Sequence, residues 1–148
     1  MEVLLSIKPQ FADAIFSGEK QFEFRKVIFR QRNIRKIYLY ASRPVCSVVG
    51  EFEIRQVIAR DPETLWSVTK EFSGITREYF DEYFRGKNIA YAIQVSSPLK
   101  YPEPFTLMDL FNVKRPPQSF MYVDSCVEQL VLSLAILKGA KYPPQNTG

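Results

Sequence analysis

An α+β fold, a small mixed sheet or barrel decorated by helices, is what this sequence predicts. Three observations point there. Short runs of alternating or 3.6-periodic apolar residues order the elements as β-α-β-β-β-α-α-β-β-α. That order lacks the strict strand–helix alternation of a doubly wound sheet. The chain has 148 residues and is 46% hydrophobic, with 12 Phe and 8 Tyr. One domain of that length has enough apolar surface to bury a packed core.

The segment EVLLSI reads as a short strand, and Pro9 suits the first position of the helix after it. Along that helix Phe11, Ala12, Ile15 and Phe16 form one apolar stripe, and Gly18 supplies the stop. KQFEFRKV alternates with period two and is a strand. RKIYLYAS and SVVGEFEIRQVIA are two more, separated by Arg43-Pro44; Gly50 marks a bulge or a close backbone approach. In DPETLWSVTKEFSG, Asp61 caps a helix, Pro62 opens it, Leu65, Val68 and Phe72 share a face, and Gly74 follows its end. A second helix, capped by Thr76 and stopped by Gly86, carries Tyr79, Phe80, Tyr83 and Phe84, with Ile75 and Phe80 in staple positions. NIAYAIQV returns to strand, SPLKYPEPF reads as a proline-marked loop, and RPPQSFMYV as a loop entering a final strand.

SCVEQLVLSLAILKG opens with Ser125 and Glu128 in capping-box spacing and is apolar nearly all round. It is shorter than the roughly 20 apolar residues of a membrane span, so no membrane partner is expected. Its two readings are a buried core helix and a helix that forms a homodimer or docks a partner. The expected division is a domain over 1–123, this apolar helix over 124–139, and a frayed tail over 140–148.

The absent residues narrow the chemistry. With no histidine, Ser-His-Asp and Cys-His catalysis and His-based metal sites are excluded. Cys46 and Cys126 are too few for a zinc cage and are not a CxxC pair. No glycine-rich phosphate loop is present, and no cofactor is expected. The N-terminus lacks the basic stretch and apolar length of a signal peptide, so a reducing, cytoplasmic setting with free thiols is expected. Net charge is +4, a mild bias toward phosphate-bearing partners.

The stretch FSGEKQFEFRK is the densest chemical feature. Strand side chains two apart share a face at about 6.5–7 Å, so Phe22 and Phe24 point to the core while Gln21, Glu23 and Arg25 point away. Lys20 follows the helix stop, where the alternation does not determine its direction. Ser6 and Lys8 share the alternate face of the first strand; were the first two strands neighbours, Lys8, Lys20, Glu23 and Arg25 would converge. Arg offers forked recognition of phosphate or carboxylate, Glu accepts from a base amino group, and a buried Lys–Glu pair can move protons. The competing reading is a Glu–Arg pair on a solvated strand face, worth little.

LLSIKPQFADAIFSGEKQFEFRK resembles the opening of the ASCH (activating signal cointegrator homology) domain, a branch of the PUA-like superfamily. That family's signature is strand, helix, then G-x-K-x-x-E-x-R, and Gly18, Lys20, Glu23 and Arg25 fill it. ASRPVCSVVGEFEI, DPETLWSVT and PPQSFMYV are also similar to stretches of bacterial ASCH proteins, so the likeness covers about residues 3–123. It implies a PUA-like fold, a small β-barrel flanked by helices, with a cleft beside the signature. It also implies RNA binding or transcription-linked regulation. Some small members are amidohydrolases of acylated cytidine nucleosides, and others are ribonucleases. In the amidohydrolase branch a nucleophilic Thr stands where this chain has Glu23, so that mechanism does not carry over.

Two further features bear on such a cleft. Trp66, the only tryptophan, is either a stacking platform for a base or a core residue. FRKVIFRQRNIRK gathers Arg25, Lys26, Arg30, Arg32, Arg35 and Lys36, either for phosphate contacts or as a solvated loop. Ser119 and Tyr122 either border the cleft or are turn and core residues, whereas Tyr79 and Tyr83 read as helix packing. The expectation is therefore an RNA- or nucleotide-binding protein whose cleft is lined by Lys8, Lys20, Glu23 and Arg25. The alternative is a hydrolase of a modified nucleoside or of RNA with Lys20 and Glu23 as its acid–base pair. A third reading is an interaction module built on the final helix.

Overall fold

The computed structural model describes residues 1–124. Six strands form one sheet: β1 (Glu2–Ile7), β2 (Phe22–Arg25), β3 (Lys36–Ala41), β4 (Ser47–Arg60), β5 (Ala90–Phe105) and β6 (Phe120–Val123). Four helices accompany it: α1 (Pro9–Ser17), α2 (Pro62–Thr69), α3 (Arg77–Tyr83) and α4 (Leu107–Phe111). The strand order is β2-β5-β4-β3-β1-β6. Only β1 and β3 run parallel; every other pair is antiparallel. The sheet curls into a half-barrel, an α+β architecture of the PUA-like kind.

Local chemistry accounts for the element ends. Pro9 opens α1 and Gly18 closes it in the left-handed region at φ 86°. Asp61 accepts from the Thr64 N–H to start α2, and Thr76 accepts from the Tyr79 N–H to start α3. At Gly50 the β3–β4–β5 register shifts, and a Cβ would lie 2.4 Å from the Leu99 carbonyl oxygen and from the Phe16 ring. Gly50 is thus both a bulge and a close approach.

Three apolar clusters fill the molecule. Leu4, Tyr38, Tyr101 and Phe105 pack with α4 under one face of the sheet; Val3, Leu5, Ile37, Phe52 and Ile93 pack with α1 on the other. Phe22, Phe24 and Ala92 pack with Leu65, Phe80 and Phe84 of α2 and α3. Strand β1 is therefore buried on both faces, which explains its nearly continuous apolar run.

Three expectations need correction. SPLKYPEPF is the second half of β5, paired with β4 through Glu51↔Leu99, Gly50↔Lys100 and Val48↔Phe105. Its prolines fit because β2 covers β5 only from Tyr91 to Gln94, leaving a sheet edge where a missing N–H breaks no ladder. A short helix, α4, follows it, capped by Thr106 on the Asp109 N–H. Finally, α2 ends at Thr69 and tightens into a 3₁₀ turn over Lys70–Phe72. Its buried face is Leu65 and Thr69, leaving Val68 and Phe72 exposed. The apolar helix expected over 124–139, its homodimer, and the tail over 140–148 lie, apart from Asp124, outside the described residues.

Candidate functional site

The signature residues meet, but by a different route from strand pairing. Strand β2 pairs only with β5, at the opposite end of the sheet order from β1 and β6. Curling of the sheet brings the two ends face to face, and Arg25 bridges the seam. Its Nη1 donates to the Ser6 carbonyl at 3.2 Å and its Nη2 to Ser119 Oγ at 2.7 Å. Ser6 in turn donates through Oγ to the Pro117 carbonyl at 2.6 Å and through its N–H to the Ser119 carbonyl at 3.0 Å. Arg25 thus spends part of its donor fork holding the half-barrel closed.

Lys20 is turned inward by the backbone around it. After the left-handed Gly18, the Lys20 N–H returns to the Ala14 carbonyl, and the Gln21 N–H donates to the Phe72 carbonyl. The side chain is only 1% exposed. Its Nζ donates to the Ser73 carbonyl at 3.0 Å and lies over the Phe24 and Phe11 rings at 4.7 and 5.4 Å. Glu23 Oε1 is 4.0 Å from Nζ, an ion pair too long to be a hydrogen bond. Burial lowers the Lys20 pKa from its ordinary value, and the Glu23 carboxylate partly opposes that shift.

Glu23 is 5% exposed. Its Oε1 accepts from the Phe24 N–H at 3.0 Å, while Oε2 is buried with no hydrogen-bond partner. A carboxylate oxygen in that state is rare, because burying it unpaired is costly.

These groups form the floor of a cleft of about 530 Å³ at the seam, within the usual size of small-ligand sites. Phe11, Tyr79 and Tyr83 form an aromatic wall, and Gln118 and Ser119 come from the β6 side. The Tyr79 and Tyr83 rings are nearly parallel, 12° apart in plane with centroids 6.4 Å apart. Lys8 lies over Tyr79 at 5.5 Å and Lys26 over Tyr83 at 4.7 Å, placing two exposed cations at the rim. The Tyr83 hydroxyl pKa is raised, chiefly by burial.

Lys8, Lys20, Glu23, Arg25, Lys26 and Ser119 line the cleft together. Arg30, Arg32, Arg35 and Trp66 do not line it. The three arginines are exposed, and the Arg30 N–H donates to the Tyr122 hydroxyl at 2.9 Å. Trp66 is half-buried against Phe80 at 5.0 Å, with Arg77 over its other side at 5.5 Å. It is therefore a packing residue of the α2–α3 cluster rather than a cleft platform.

Two features of the site escape the sequence reading, the tyrosine wall and a glycine turn. Tyr79 and Tyr83 belong to the wall, whereas Phe80 and Phe84 fill the core. The signal was present: four aromatics at i, i+1, i+4 and i+5 exceed one helical stripe, so two must face elsewhere. Gly74 is the other. At φ 68° it lies against Lys20, where a Cβ would sit 2.4 Å from Lys20 Cβ. No sequence signal ties that turn to Lys20.

A curled mixed sheet whose open seam holds a buried lysine, a glutamate and a bridging arginine defines a PUA-like protein with a cleft at that seam. The match to the ASCH domain family model covers residues 5–99, and the chain belongs to that family. It is 32% identical over 138 residues to the ASCH domain-containing ribonuclease of Zymomonas mobilis, covering 90% of this chain and 91% of that one. The crystal structure of ASCH from Zymomonas mobilis superposes with a TM-score of 0.81 at 31% identity, over 90% of this chain and 94% of that chain. The N-terminal domain of Staphylothermus marinus McrB shares the fold alone, with a TM-score of 0.58 at 13% identity, over 89% of this chain and 93% of that chain. Among the described residues no helix is long and apolar enough to cross a membrane.

Proposed function

We propose that this chain binds RNA, with one nucleotide entering the cleft at the seam. The carrying observation is the buried Lys20–Glu23 pair beside Arg25 beneath an aromatic wall. A flat basic surface would suit phosphate alone. This cleft adds tyrosine faces for a base, cations at the rim for phosphates, and a polar floor for sugar or phosphate oxygens. The test is fluorescence anisotropy with short labelled oligoribonucleotides at increasing salt. Binding that weakens with salt, and weakens further in Lys8→Ala/Lys26→Ala, is expected; no binding at low salt sinks the reading.

Cleavage of the bound RNA is the second reading, favoured by the lowered Lys20 pKa and by the likeness to a ribonuclease over 90% of this chain. Glu23 would take the proton of the attacking hydroxyl as its oxygen bonds to phosphorus. The P–O5′ bond breaks, and Lys20 gives a proton to the departing oxygen. A lysine with a lowered pKa is a stronger acid at neutral pH. Gel analysis of labelled RNA is the check: cleavage products with the wild type that persist undiminished in Lys20→Met would exclude this role.

A further inference from the structure

The unpartnered oxygen of Glu23 is the feature that RNA binding, stated generally, leaves unexplained. A carboxylate in the floor of a site for a polyanion repels the ligand unless the ligand brings it a donor. Glu23 is held in place: its Oε1 accepts from the Phe24 N–H at 3.0 Å and the side chain is 5% exposed. Among the described residues no group hydrogen-bonds Oε2. A ligand seated in the cleft can bring that donor.

A nucleotide with its base against Tyr79 and Tyr83 and its phosphates toward Lys8, Lys26 and the free part of the Arg25 fork sets its sugar toward the floor. The donor a ribose offers there is the 2′-hydroxyl, which deoxyribose lacks. We infer that Glu23 Oε2 accepts a hydrogen bond from a ribose 2′-hydroxyl, so that the cleft distinguishes RNA from DNA at the binding step. This rests on the RNA-binding reading and specifies how one residue of the site selects its ligand.

The selection has two parts. RNA satisfies the buried oxygen with a charge-assisted bond, and DNA leaves it desolvated and unpaired against an anionic chain. The expected discrimination is about tenfold or more, the scale of one hydrogen bond to a buried charged group.

Anisotropy with the intact chain and three labelled oligomers of one sequence tests this: RNA, DNA, and RNA with 2′-fluoro in place of each 2′-hydroxyl. The 2′-fluoro sugar keeps an RNA-like pucker and loses the donor. Weaker binding of both DNA and 2′-fluoro RNA by about tenfold is expected. In Glu23→Leu the RNA and 2′-fluoro affinities should come within about twofold of each other. If 2′-fluoro RNA binds as tightly as RNA to the wild type, the inference is overturned while RNA binding stands. Absence of binding by all three overturns both. The wild-type comparison decides the matter even where Glu23→Leu fails to fold.

Discussion

Two regions of this protein carry concentrated positive charge, and they obey different physics. At the seam, Lys20 is 1% exposed and held by a carbonyl, two aromatic faces and a glutamate. On the β2–β3 connection, Arg30, Arg32 and Arg35 are exposed. Burying a charge is unfavourable unless its surroundings compensate, so the first arrangement requires a specific fold around it and can shift proton affinity. Solvated arginines need no such surroundings; their field is screened by salt within about 10 Å at 0.1 M. Geometry governs the charge at the seam, and a salt-screened field governs it on the loop.

Breaking the buried side of this contrast should have the largest effect. Lys20→Met keeps an apolar stem out to the Cε position and removes the amine. If the site cleaves RNA, activity should fall by about 10²–10⁴-fold, the usual contribution of a positioned proton donor. Glu23 is then left buried without its cation, so the variant should also lose about 3 kcal/mol of stability by urea titration. Adding Glu23→Gln should recover most of that stability and none of the activity. Recovery of activity in the double variant would contradict the assignment of Lys20.

The next effect comes from the turn that covers Lys20. Gly74→Val places a branched side chain at φ 68°, with its Cβ 2.4 Å from Lys20 Cβ. Strain and overpacking together should remove about 3 kcal/mol, read as a lower melting temperature. Gly86→Ala is the control, because that glycine also has a positive φ, 76°, but open space around it. It should lose only about 1 kcal/mol.

Proton linkage sharpens the contrast further. Burial lowers the Lys20 pKa below 10.5, so over the window between the lowered value and 10.5 the unfolded chain binds more protons than the native one. Stability should therefore rise with pH through that window, the penalty on the charged form being greatest below it. Urea midpoints of wild type and Lys20→Met compared at about pH 7 and about pH 10 should show the wild type gaining on the variant. Equal pH dependence would mean that Lys20 is solvated.

The contrast also explains what could be read from the sequence. Period-two alternation located β2 and put Phe22 and Phe24 in the core, as observed. The same alternation assigns Glu23 to an outer face, and on an open sheet that face would be wet. Only the curl of the sheet, a long-range property, buries it at the seam. Lys20 was undetermined for a related reason: its direction is set by the Ala14 and Phe72 carbonyls, the latter 51 positions from its partner Gln21. Convergence with Lys8 was anticipated through strand pairing, yet it occurs across an unpaired seam. Local rules located the residues, and tertiary closure made them a site.

The smallest effect should come from the exposed arginines, and it separates attraction from geometry. Arg30→Ala/Arg32→Ala/Arg35→Ala touches no cleft wall, so cleavage per bound RNA and the RNA-to-DNA preference should both stay within about twofold of wild type, as expected of surface changes. Its signature should be the salt dependence of binding, whose slope falls by about 0.7 for each lost contact to a single strand. Affinities measured across a salt series should converge with wild type at high salt, where the loop's field is screened. An altered RNA-to-DNA preference would show instead that the loop reaches the seam when ligand is bound, and that the two regions act as one surface.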